Sequence, residues 1–393
     1  MFGTVVCTTI ARLITAALLL IGVPRVQASE VVSTLLTQAG TPAQEETIAP
    51  YHARFGRERP LIAVVGENGS ESSTTELTDF VVPYGILAQS GAAELVALAT
   101  HSGTLKMRPA LQIKPQATTA QFDRDVPEGA DYVIVPAVRR ISDPTLLAWV
   151  SGQAAKGATL VSICDGALVV ANTGLMKGRR ATAHWDTEDL RATRYPDTHW
   201  QPNLRYVADD KIVSSAGISA AIPVSLALLE AIAGHATAAS VGVQIGFPQW
   251  SSVHDSEVFR PHFGTNLLAF IRTSYTNAWL HLREQIGVPL TAGVDEIALA
   301  LTVDAWSRTG RSQASAMAAS MEPVASKHGL VFVPEPVVAR SGRPAILLPD
   351  FGSMLSTQAL DRALAGIAQR YGRSTAYGVA LDFEYPGFER RRR

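Results

Sequence analysis

Short unbroken apolar runs alternate along this chain with stretches whose apolar residues return every three or four positions. Leu61-Ile62-Ala63-Val64-Val65, closed by Gly66, has the form of a strand buried on both faces. Leu77, Phe80, Val81, Tyr84, Leu87 and Ala88 then follow at helical spacing up to Gly91, with Pro83 predicting a kink. Strands are expected at Glu94 to Ala99, more weakly at Leu105 to Ile113, and again at Ala130 to Pro136. Pro144 to Ala155 carries a helical apolar face closed by Gly157, and the run Thr159 to Ile163 leads directly into Cys164. Such alternation is the mark of a parallel sheet covered by helices on both sides.

Beyond it, Leu204 to Val207 and Lys211 to Ser214 flank Ala208-Asp209-Asp210, a hairpin with an acidic turn, and a helix is expected from Pro223 to Gly234. The first domain is placed at 60–240. Residues 241–293, rich in Gly, Pro, Ser and aromatics, read as linking structure. Residues 294–393 read as a second, degenerate α/β region that half repeats the first. Glu296 to Leu301 matches the opening strand, Gly342 to Pro349 matches Gly129 to Pro136, and Leu360 to Gly372 matches the helix before Cys164. Gly378-Val379-Ala380-Leu381 falls where Cys164 would be and carries no nucleophile.

The first 28 residues differ from the rest. Arg12 precedes the apolar run Leu13 to Val23, followed by Pro24 and the small-residue site Val26-Gln27-Ala28. That run is well short of the roughly 20 residues a spanning helix needs, so residues 1–28 read as an export signal cut after Ala28, with a retained membrane anchor as the alternative. Residues 29–59 read as a polar leader. Export places the mature chain in the periplasm or another extracytoplasmic space. Cleavage removes Cys7 and leaves Cys164 as the one cysteine, which excludes an internal disulfide. A net charge of −1 from 34 basic and 35 acidic residues argues against a nucleic-acid partner, whose phosphates call for clustered Lys and Arg.

Cys164 stands between a buried strand and the apolar segment Leu168-Val169-Val170-Ala171 in Ser162-Ile163-Cys164-Asp165-Gly166-Ala167. A sharp strand-to-helix turn of this kind, a nucleophile elbow, pushes the side chain out of the sheet, and Gly166 permits close backbone approach. N–H groups of Asp165 and Gly166 at the helix start would favour a thiolate and cradle a developing anion. Asp165 acts the other way, opposing a thiolate by up to about 3 kcal/mol against a helix contribution of up to about 2. Solvent screening at an exposed elbow favours the helix, which predicts a thiol pKa below the free value of about 8.5.

The elbow, the segment Gly174 to Trp185 with Thr182-Ala183-His184-Trp185, and Ser215-Ala216-Gly217-Ile218-Ser219 resemble the ThiJ/PfpI superfamily, the class I glutamine amidotransferase-like fold. Within it the look is closest to the amidotransferase-like domain of AraC-type regulators and to isonitrile hydratases. The resemblance covers about residues 60–240 and implies a flavodoxin-like parallel sheet sandwiched by helices. It also implies that an acid on the first helix, four residues before a proline, holds the thiol. Asp79 matches that place, with Glu76 one turn earlier as the fallback, although Asp79 falls on the polar side of its helix and reads alone as a surface acid. His184 matches a histidine that orients or deprotonates the thiol. Asp165 departs from the pattern, which has Ala or Thr there, and suits a cationic or hydrogen-bond-donating ligand instead.

These readings converge on an exported, cysteine-dependent hydrolase or hydratase-like protein for a small C–N-containing molecule. The alternative is a ligand-binding or redox-sensing module on the same fold. No cofactor is expected, since Gly66-Glu67-Asn68-Gly69 lacks the lysine and glycine spacing of a phosphate loop. No metal is expected either: His254-Asp255-Ser256-Glu257 with His262 has no metal-ligand spacing and reads as a loop-surface cluster. A homodimer remains open, and Arg390 to Arg393 reads as a solvated tail.

Overall fold

The computed structural model describes residues 45–70, 75–335 and 345–388. Contacts divide the chain after Gln44, and every described residue belongs to the unit that begins at Glu45. The export signal, the first part of the leader and the terminal arginine run lie outside the described residues. Within them no helix is long and apolar enough to cross a membrane.

Seven strands make the central sheet: β1 (Leu61–Gly66), β2 (Glu94–Ala99), β3 (Ala117–Thr118), β4 (Tyr132–Val135), β5 (Thr159–Ser162), β6 (Tyr206–Asp209) and β7 (Ile212–Ser215). Their spatial order is β6-β7-β5-β4-β1-β2-β3. All neighbours are parallel except β6 and β7, the expected hairpin, which pairs Tyr206 with Ser215 and turns at Asp210-Lys211. Alternate residues enter two cores. Ile62 and Val64 face the first helix, α1 (Leu77–Gln89); Ala63 and Val65 face α2 (Pro144–Ala155) and α3 (Gly166–Asn172). Cover on both faces is why these strands read as continuous apolar runs. The protein is thus α/β, with a flavodoxin-like parallel sheet between helices and a further α/β region after it.

Helix α4 (Ala221–Ala233) lies on the α1 side of the sheet and starts two residues before Pro223. The proline is tolerated because first-turn N–H groups have no intrahelical acceptor. Helix α5 (His235–Ile245) follows. Residues 45–59 of the leader are bound to the body rather than tethering it loosely: Glu45 accepts hydrogen bonds from Ser252 N and Oγ at 2.8 Å, and Tyr51 N–H donates to Ala231 O at 2.9 Å.

The second region keeps two elements of the expected half-repeat, a strand at Ile346–Leu347 and a helix at Gln358–Tyr371, and departs from it at the other two. It has two parallel strands, β8 (Glu284–Pro289) and β9 (Ser312–Met317), the short β10 (Ile346–Leu347) beside β8, and helices α6 (Glu296–Ser307), α7 (Gln358–Tyr371) and α8 (Arg373–Asp382). Glu296 to Leu301, matched to a strand, opens α6. The Asp295 carboxylate caps it, accepting from Ile297 N and Ala298 N at 3.0 Å, and the helix is buried all round, so it shows the same solid apolar run as a buried strand. Gly378 to Leu381, matched to the elbow, lies inside α8.

Both regions share a core. Helix α6 packs on the side of α1 away from the sheet, where Gly85 allows the approach: a Cβ there would meet Ile297 Cγ1 at 2.7 Å. The weakly expected strand over Leu105 to Ile113 is a hairpin, Leu105–Arg108 with Gln112–Lys114, and it is extended by Val331–Phe332 from the second region.

Candidate active site

Cys164 sits where β5 turns into α3, with φ at +54°, a left-handed conformation that costs a non-glycine residue about 1–2 kcal/mol. Neighbouring groups hold it there. Its N–H donates to Ser215 Oγ at 3.3 Å at the end of β7, and Ile163 N–H donates to Val135 O at 3.0 Å. Gly166 lies so close to β4 that a Cβ would stand 1.9 Å from Val135 O. The elbow inferred from the motif is present, with its side chain almost wholly buried.

Two expectations about the elbow need correction. Gly166 N–H donates to Ile163 O at 2.8 Å, so it is occupied within the turn, and Asp165 N–H is the backbone donor facing the sulfur. The thiol pKa is not lowered. Burial pushes it well above the ordinary cysteine range, and the Asp79 and Asp165 carboxylates add to this against the Asp165 N–H. An elbow open to solvent would screen Asp165 and leave the helix dominant, but this one is closed. Here desolvation penalises the thiolate, and α3 has only seven residues from which to oppose it.

Asp79 is fully buried rather than on the surface, turned toward the backbone that follows β4. Its Oδ2 accepts from Ala137 N–H at 3.2 Å, while Oδ1 is buried without a hydrogen-bond partner. Burial raises its carboxyl well above the usual range, opposed by Ala137 N–H and reinforced by Asp304 and Asp165. Asp79 is therefore an acid biased toward its protonated form and within electrostatic range of the thiol, although no hydrogen bond joins the two among the described residues. Glu76 is not at the thiol: Arg108 Nε donates to its Oε2 at 2.7 Å and Arg308 pairs with its other oxygen.

Asp165 accepts from Thr187 Oγ1 at 2.7 Å. His184 is buried, and its partners are not the thiol. Asp186 N–H donates to Nδ1 at 3.2 Å, which assigns the proton to Nε2, and Nε2 faces Asp382 O at 3.2 Å and Glu384 Oε1 at 3.8 Å. Burial acts against the imidazolium, yet Glu384, Asp165, Asp186 and Asp382 outweigh it and raise the pKa.

Several groups escaped the sequence reading. Glu384, with φ at +49° just past α8, accepts from Gly217 N–H at 3.2 Å and lies 2.8 Å from His254 Nε2. His254 is thus turned inward rather than part of a surface cluster. Asp304 of α6 accepts from Thr78 Oγ1 at 2.6 Å, and Arg308 joins Asp304 to Asp382. Arg191, buried against the Trp200 ring at 4.8 Å, donates to His184 O at 3.0 Å and lies within electrostatic range of Asp165 and the thiol. Among the described residues, no group of three or more His, Cys, Asp or Glu could hold a metal.

Residues 71–231 match the DJ-1/PfpI family. The chain is 30% identical over 175 residues to isonitrile hydratase from Pseudomonas putida, covering 43% of this chain and 72% of that protein. The chain belongs to the DJ-1/PfpI family. It is also 34% identical over 105 residues to the HTH-type transcriptional regulator CdhR of Pseudomonas aeruginosa, across 27% of this chain and 31% of the regulator. Similar solved structures include oxidized DJ-1 of Toxoplasma gondii (21% identity, TM-score 0.42, 48% of this chain and 100% of that one). An AraC family transcriptional regulator from Pseudomonas putida is another (17%, TM-score 0.41, 47% and 98%). The DJ-1/PfpI match contains Asp79, Cys164, Asp165, His184 and Arg191, whereas His254, Asp304, Arg308, Asp382 and Glu384 lie beyond it.

Proposed function

We propose that this DJ-1/PfpI protein is a thiol-dependent enzyme that adds water to, or hydrolyses, a small C–N compound, with Cys164 as nucleophile and Asp79 as proton shuttle. The observation that carries this reading is the strained elbow placing Cys164 near the buried Asp79 carboxyl, whose pKa burial raises. The likeness to isonitrile hydratase supports an isonitrile as the first substrate to try.

For an isonitrile, the sulfur bonds to the terminal carbon as that carbon takes the Asp79 proton, and the thiol proton passes to the Asp79 carboxylate. Water then adds to the same carbon while the nitrogen is protonated. Collapse of the adduct expels the thiol, which recovers its proton, and releases an N-substituted formamide. Because Asp79 supplies the proton as the bond forms, the mechanism does not require a free thiolate beforehand. Arg191 offers positive charge near the sulfur. His184 is held by Asp382 O and Glu384.

The test is turnover of small isonitriles, nitriles and primary amides by the wild type, Cys164→Ser and Asp79→Asn, with circular dichroism to confirm folding. Both substitutions should abolish turnover. Wild-type rates in Cys164→Ser would move the chemistry elsewhere. The high thiol pKa favours one rival, a ligand-sensing module; a ligand that raises the melting temperature but is never consumed would support it. The export signal is part of the proposal and places the activity outside the cytoplasm.

A further inference from the structure

The segment from Phe263 to Leu282 exposes an unusual set of side chains. Phe263 and Trp279 leave 87% and 83% of their surface to solvent, and Leu268, Leu280 and Leu282 are also largely exposed. Residues 267–280 are helical throughout, through a π turn at Arg272–Thr276. The inner side is fixed: Thr273 lies against Gly378 of α8, and Asn277 Nδ2 donates to Thr309 O at 2.8 Å. The apolar side chains are therefore held outward by a helix anchored from behind.

The charge within this segment has one sign. No acidic residue occurs between Glu257 and Glu284. Those two flanking acids are paired, Glu257 with Arg260, which also meets Glu188, and Glu284 with Arg370. Arg272 and Arg283 are exposed, and neither has an ion-pair partner among the described residues. A second copy docked face to face would set these arginines against each other with no acid to pair them. Exposed Trp, Phe and Leu ringed by unpaired Arg is instead the composition of a helix lying in a bilayer interface with anionic headgroups.

We propose that residues 263–282 form a docking surface for an anionic lipid bilayer, with the aromatic and leucine side chains entering the headgroup boundary and Arg272 and Arg283 meeting lipid phosphates. On the inner side of the same segment, Phe270 packs edge-on against Trp185, the neighbour of His184, at 5.5 Å. The surface that meets lipid therefore backs directly onto the candidate active site.

Vesicle co-sedimentation tests this with the full chain, in a Leu18→Glu/Leu20→Glu background that silences the N-terminal apolar run. Vesicles of phosphatidylcholine containing phosphatidylglycerol should pellet the protein, and phosphatidylcholine alone should pellet far less. Trp279→Ser/Leu280→Ser should weaken binding by about tenfold or more. Arg272→Ser and Arg283→Ser should each weaken it by about fivefold and reduce its salt dependence. Replacing Arg390 to Arg393 by serine should leave these effects in place. Binding unchanged by the Trp279, Arg272 and Arg283 substitutions would overturn the proposal, as would no binding to either vesicle. A solution dimer that Trp279→Ser/Leu280→Ser dissociates would also overturn it, by assigning the face to a second copy.

Discussion

Replacing Gly166 by alanine tests the elbow most directly. The added methyl carbon would stand 1.9 Å from Val135 O and 2.9 Å from Pro136 C, both backbone atoms. Ordinary carbon–oxygen contact lies near 3.3 Å, so α3 and the end of β4 must separate by about 1.4 Å. Neither yields easily. Val135 O already accepts from Ile163 N–H at 3.0 Å, and two residues on, Ala137 N–H holds Asp79. The expected cost is about 3 kcal/mol, at the upper end for overpacking because a strand rather than a side chain must move. An ångström of misplacement between Cys164 and Asp79 would also lower turnover by roughly 100-fold. Gly152→Ala is the control. It lies within α2 with nothing inside 4 Å of its added carbon, and should stabilise the protein by about 0.5–1 kcal/mol. Urea unfolding followed by tryptophan fluorescence reads both variants, and iodoacetamide labelling reads access to the thiol. Gly166→Ala with wild-type stability and labelling would refute the close packing assigned to this turn.

Other outcomes follow from the same geometry. Cys164 should stay protonated at neutral pH, with iodoacetamide labelling rising only above the pH of an ordinary cysteine; Asp79→Asn and Asp165→Asn should each lower the midpoint, and a wild-type midpoint at or below that of a free cysteine would contradict the burial account. Burial raises the Glu384 pKa, but His254 and His184 outweigh it and bring the folded value below the reference of 4.5. Its stabilisation is thus present above about pH 4.5 and lost as pH falls through the folded value. Glu384→Gln should cost about 3 kcal/mol at neutral pH and flatten the acid limb of stability against pH; an unchanged acid limb would remove Glu384 from the network. Expression in an export-competent host should give a mature N-terminus at Ser29 by mass spectrometry, against a full-length cytoplasmic chain if no signal is read.

Local patterns carried much of the molecule. The strand runs from Leu61, Tyr132 and Thr159 were legible because burial on both faces leaves few polar interruptions. The elbow was legible because its requirements, a glycine and a short apolar helix, lie within ten residues of Cys164. The same logic failed for Glu296 to Leu301, since a wholly buried helix and a wholly buried strand show the same apolar run.

By itself, the sequence determined the parallel sheet, the strand-to-helix turn and the identity of the thiol, because each depends on neighbours along the chain. Tertiary structure decided what surrounds that thiol. Asp304 and Glu384 stand 226 and 130 residues from Thr78 and His254, the groups they bind, and no periodicity encodes such pairings. Asp79, set beside the backbone after β4, is a buried acid with its pKa raised by desolvation, and Cys164 lost its expected acidity because burial outweighed the Asp165 N–H. Desolvation depends on every atom that displaces water, so its effect on charge is a property of the assembled fold.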